Sequence, residues 1–185
     1  MGQAKLNAKF KENILYHEAG HALLARLHGI EIVEINLTQK PGNYHGRVLT
    51  RSGAHAVTER VSLLKALANE AKGALGGPIV GIDEMRGAKY ADGEGRAGDY
   101  KTVARCVRHM AVLDRYLASG VEMDSIELLE AEIAEAKQIA ERLRQEAEDE
   151  VRDNWDAVER IAELFKSGGV VTQADVDACI PRSSA

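Results

Sequence analysis

Cysteine is scarce in this 185-residue chain: Cys106 and Cys179 are the only two, and they lie far apart with no C-x-x-C spacing. A cysteine-based metal site is therefore not indicated. Both fall in apolar-periodic runs and read as buried thiols in a reducing compartment. Basic charge is not in excess either. With 24 Lys and Arg against 29 Asp and Glu, the net charge is −5, so a broad basic footprint for nucleic acid is missing. No apolar run approaches bilayer length. The opening MGQAKLNAKF has no signal-peptide apolar core, and Leu6 stands where a myristoylation signal needs Ser or Thr. A cytoplasmic protein without a membrane segment is the expectation. No G-x-x-x-x-G-K-[ST] occurs, which excludes an ATPase module from this sequence. Internal repeats and low-complexity linkers are also missing. What remains is 45% hydrophobic and 29% charged, the balance of a globular domain with a real core.

Residues 8–28 carry a helical stripe at 10, 14, 17, 21, 24 and 28, widened by Ala19, Ala22, Leu23 and Leu27, so this helix should be buried on most sides and stop at Gly29. IEIVEINLT, 30–38, reads as a strand with a slip at Ile32-Val33 that suggests a bulge. QKPGNYHG is turn chemistry and RVLTR a second strand, which makes a hairpin. A helix follows Gly53, and GGPIVGIDE continues it with small residues where a helix bends or packs closely. Residues 86–98 form a glycine-rich loop. The next helix sets Asp99, Val103, Cys106, Met110, Leu113 and Leu117 on one face. Residues 124–166 are charge-laced and helical, better as two stacked helices than one. Val170-Val171 offers a short strand, and Thr172 caps a last helical turn before Pro181. The fold class expected is α+β, mainly α, in one domain over 1–185, with a core at 8–120 and a C-terminal helical bundle at 124–180.

The chemistry concentrates in HEAGH, residues 17–21. On a helix, His17 and His21 share one face about 6 Å apart along the axis and can bind one tetrahedral ion. Glu18 is rotated off that line and lies beside the ion, where a carboxylate can take a proton from a water that attacks a polarised carbonyl. Two buried histidines satisfied by core hydrogen bonds are the plainer alternative. With 6 His and 19 Glu, however, about 0.02 chance occurrences of H-E-x-x-H are expected in the chain. The third ligand is not given by spacing. His28 lies about 10 Å up the helix, too far for the same ion. Leu24 and Leu27 break the H-E-x-x-H-x-x-G-x-x-H pattern. Glu59, Glu70, Glu84, His45 and His55 all stay open. Asp99 leads an apolar stripe and should face inward, where a carboxylate needs a cation or donors, yet an Asp opening a helix also serves as a cap, here over Thr102.

HEAGHALLARL, the hairpin after it, GALGGPIV and GRAGDYKTVARCV together resemble the protease domain of the FtsH family of AAA+ zinc metalloproteases, over residues 10 to 180. The resemblance implies a zincin-like domain holding one zinc ion per chain, with His17, His21 and Asp99 as metal ligands and Glu18 as the catalytic base. It implies a zinc-dependent metalloendopeptidase acting on peptides or unfolded proteins, with GRVLT, 46–50, as an edge strand for substrate or as a plain sheet strand. Pro78 stands where the family has Arg. Without ATPase module or anchor, a free-standing protease core is expected. Other expectations are a non-catalytic zinc-binding adaptor, a peptidase subunit served by a separate ATPase chain, and a homo-oligomer. Tyr16, Tyr100 and His109 are candidates for stabilising the oxyanion.

Overall fold

The computed structural model describes residues 3–40, 43–51, 59–81, 93–167 and 170–181. It is mainly helical with a small antiparallel sheet. Helix α1 spans Gln3–Leu27, strands β1 and β2 span Glu31–Lys40 and Asn43–Arg51, and α2 and α3 span Arg60–Gly81 and Gly93–Ser119. After a 3₁₀ turn at Met123–Ser125 come α4, Glu130–Asp153, α5, Trp155–Ser167, and α6, Gln173–Cys179.

α1 is the central element. Ala19, Ala22, Leu23, Leu24 and Ala25 are wholly buried, packed between α2, α5 and the hairpin. Its end follows from Gly29, whose φ of +70° is cheap only without a β-carbon. There the Gly29 amide donates to Arg26 O and the Ile30 amide to Ala25 O, which satisfies the last carbonyls and turns the buried Ile30 back onto the core. α1 and α2 touch backbone to backbone: a β-carbon on Gly20 would meet Gly76 O at 2.2 Å, and one on Gly76 would meet Gly20 O at 2.2 Å. The small-residue segment thus packs closely, as its composition suggests, with Pro78 buried in the last turn of α2.

The bulge is where the sequence pattern slips. Ile32 pairs with Thr50 and Glu34 with Leu49, leaving Val33 unpartnered and 44% exposed. The extra residue resets the alternation, so that Ile32 before it and Ile35 and Leu37 after it all pack on the core. Residues 124–166 do break into two helices, at Asn154. α4 buries Leu143, Ala147 and Val151, while its outer face is laced by pairs such as Arg144 with Glu141 and Arg152 with Asp149. Thr172 caps α6 with a reciprocal bond from Asp175.

Four expectations are corrected. α3 begins at Gly93, so 93–98 is helix rather than loop. Val170-Val171 is not a strand. Leu117 is 44% exposed, because the apolar stripe of α3 leaves the core before the helix ends. Cys106 is fully buried and Cys179 only partly; both are free. The helix expected after Gly53 begins at Arg60, with 52–58 outside the described residues. No described helix is long and apolar enough to cross a membrane.

Candidate metal centre

Three elements meet at one point. α1 brings His17 and His21 on successive turns, and α3 brings Asp99 against them. Asp99 Oδ2 lies 3.3 Å from His17 Nε2 and 3.4 Å from His21 Nε2, and the two nitrogens are 3.2 Å apart. These three sides can be tested against an ion. A tetrahedral divalent ion bound at about 2.0–2.1 Å sets its ligand atoms about 3.3–3.4 Å apart. The triangle already has that size. Asp99 Oδ2 is buried, and the two imidazole nitrogens it faces do not reach hydrogen-bond geometry with it, an arrangement that a shared cation would satisfy. The donor set, two imidazole nitrogens and a carboxylate oxygen, suits a divalent transition-metal ion. Among the described residues no fourth His, Cys, Asp or Glu joins the cluster.

α2 shapes the cavity. A β-carbon at Gly77 would lie 2.4 Å from His21 Nε2 and 2.6 Å from both Nε2 and Cε1 of His17, so only a glycine lets the two rings keep these positions. Gly73 O accepts a 2.9 Å bond from His21 Nδ1, so that in the neutral ring, the form that binds a metal, the proton sits on Nδ1 and Nε2 can be the ligand. The two imidazoles stand edge to face, ring centroids 4.7 Å apart. Burial works against charge on His21, but Asp99 beside it prevails and raises the imidazole to about 9; burial likewise opposes ionisation of Asp99, yet the two histidines hold its carboxyl down at about 2.

Glu18, the next residue after His17, is turned about 100° round α1 and reaches β2. It is 6% exposed, and its Oε2 accepts the Val48 amide of β2 at 2.9 Å. Gly46 leaves room for it, since a β-carbon there would stand 2.4 Å from Glu18 Cγ. Burial raises the pKa of Glu18, against the lowering pull of His21, His17 and the Val48 amide.

The other sequence candidates are placed elsewhere or used elsewhere. His28 pairs with Glu150 at 2.6 Å, in a cluster with Lys72 and Glu146. Glu59 accepts from Ser62, and Glu70 pairs with Arg105. The side chain of His45, and all of His55 and Glu84, lie outside the described residues. Asp99 is not a cap: it is the seventh residue of α3, and Thr102 Oγ1 donates to Gly98 O instead. Tyr16 stacks on Trp155, His109 pairs with Asp124 at 2.7 Å, and Tyr100 is 45% exposed. The contributions that sequence reasoning missed are main-chain and glycine ones: Gly73 O, the Val48 amide, Gly46 and Gly77. Only the Gly76-Gly77 pair left a trace, as a place of close packing.

No family model matches the chain, and no curated protein matches it.

Proposed function

We propose that this chain is a zinc-dependent metalloendopeptidase that hydrolyses peptides or unfolded polypeptide segments, with a zincin-like protease domain of the FtsH type. The observation that carries it is the triangle of His17 Nε2, His21 Nε2 and Asp99 Oδ2 with sides of 3.2–3.4 Å, on a helix that also presents Glu18. Zinc bound there supplies a Lewis acid that lowers the pKa of water and polarises a carbonyl. The remaining work belongs to the chain. Gly73 O keeps His21 in the tautomer that presents Nε2. Glu18, its pKa raised by burial, takes a proton from the attacking water and returns it to the leaving amine nitrogen as the C–N bond breaks. The edge of β2 that no described strand covers supports binding of an extended chain by main-chain hydrogen bonds.

Among the described residues three protein ligands meet, which leaves a fourth position for water or substrate and favours catalysis over a closed structural zinc site in an adaptor. The experiment is metal analysis and hydrolysis of an unstructured protein by wild type, Glu18→Gln and Asp99→Ala. Glu18→Gln should keep one zinc per chain and lose roughly 10²–10⁴-fold in rate. Asp99→Ala should lose zinc. Full zinc in Asp99→Ala removes Asp99 from the site, and full-rate cleavage by Glu18→Gln rules out the mechanism.

A further inference from the structure

β2 turns one edge to the site. In an antiparallel pair, successive residues direct their main-chain groups to opposite sides. Val48 sends its N–H to Glu18 Oε2 rather than to β1. Gly46, Val48 and Thr50 therefore present their amides and carbonyls on the side that no described strand covers. Such an edge accepts an extended chain. Yet its central donor is already in use, and the acceptor is the carboxylate assigned as base. Gly46 makes the contact possible, because a β-carbon there would crowd Glu18 Cγ at 2.4 Å and Oε1 at 2.8 Å.

We propose that the Val48 amide is a latch: it holds Glu18 while the edge is empty and passes to a carbonyl oxygen of an extended polypeptide when that strand adds to β2. One N–H makes one strong hydrogen bond, so the carboxylate and the incoming carbonyl compete for it. A carboxylate is the stronger acceptor, by roughly twofold. A fragment touching one edge residue leaves Glu18 held, and a strand spanning Gly46 to Thr50 gains enough further bonds to displace it. Docking of a long substrate and release of the base thus become one event. What the freed Glu18 then does rests on the peptidase reading; the exchange itself is a binding property.

The test uses the full chain, ¹⁵N-labelled, and a capped, uncharged seven-residue peptide whose central amide is replaced by a trans-alkene so that it is not cleaved. The Val48 amide resonance should move on Glu18→Ala without peptide, and on peptide addition to wild type. The peptide should bind Glu18→Ala roughly five- to tenfold tighter than wild type, because its competitor is gone, with Glu18→Gln in between as the weaker, neutral acceptor. Equal or weaker binding to a folded Glu18→Ala, or a Val48 resonance indifferent to Glu18, overturns the latch. If Glu18→Ala does not fold, the Gln comparison decides alone. Cleavage of the unmodified peptide is scored separately: affinities in the expected order with no cleavage sink the peptidase reading and keep the latch, and cleavage with equal affinities does the reverse.

Discussion

Gly77→Ala probes the centre without replacing a ligand. The added β-carbon would stand 2.4 Å from His21 Nε2 and 2.6 Å from both Nε2 and Cε1 of His17. Non-bonded contact requires roughly 3.5 Å, and each imidazole must therefore retreat by about 1 Å. His21 cannot do so without giving up its 2.9 Å bond to Gly73 O, on a helix already locked to α2 where Gly20 meets Gly76. Disturbing only the groups that orient a ligand costs about 10–100-fold in metal affinity. Here the ligand atoms themselves move, so the expected loss is at least about 100-fold, or about 2.7 kcal/mol. Overpacking should also lower stability by about 1–3 kcal/mol. Zinc affinity is measured by chelator competition, with urea unfolding followed by circular dichroism on the same samples. Gly73→Ala is the control one turn earlier, where the nearest atom is Ile30 Cδ1 at 3.4 Å. It should bind zinc as wild type does and gain up to about 0.5–1 kcal/mol from the better helix former. Wild-type zinc affinity in a normally folded Gly77→Ala refutes the assigned position of the ion.

Two further outcomes are expected. In the metal-free protein, charged His21 contributes stability that is complete below its ordinary 6.5 and is lost as pH rises through about 9, whereas Asp99 contributes above 3.8 and loses it as pH falls towards about 2. The thermal midpoint of the metal-free chain should therefore decline between about pH 6.5 and 9.5; a flat alkaline limb in a calorimetric series contradicts the His21–Asp99 pairing. Lys72→Met removes the cation shared by Glu146 and Glu150, 2.7 and 2.8 Å away, and leaves His28 alone against Glu150. Since both carboxylates keep contact with water, a loss of about 1–2 kcal/mol is expected, read as a lower urea midpoint, and an unchanged midpoint shows that this cluster does not tie α4 to α1 and α2.

Much of the fold was legible because local chemistry set it. The bulge at Val33 followed from a slip in period-two alternation, the stop at Gly29 from its freedom at positive φ, and the cap at Thr172 from its spacing to Asp175. The start of α3 was not legible. Glycines at 93, 95 and 98 argue for a loop by propensity, but the helix begins at Gly93, which makes Asp99 an interior helical residue instead of a cap.

The sequence alone determined half of the candidate site. Two histidines and a glutamate at fixed helical spacing face as they do because 3.6 residues per turn permits nothing else. Their partners across the fold depended on tertiary structure. Asp99 lies 78 residues beyond His21, and only the packing of α3 on α2 and of α2 on α1 carries its oxygen to within 3.4 Å. The same packing gives His28, which shares the helical stripe, to Glu150. It also recruits groups with no side-chain signature at all: a carbonyl at Gly73, an amide at Val48, and the empty space at Gly46 and Gly77. Such groups are common to every residue or consist of an absent atom, so composition and spacing cannot single them out; only the approach of one backbone to another does.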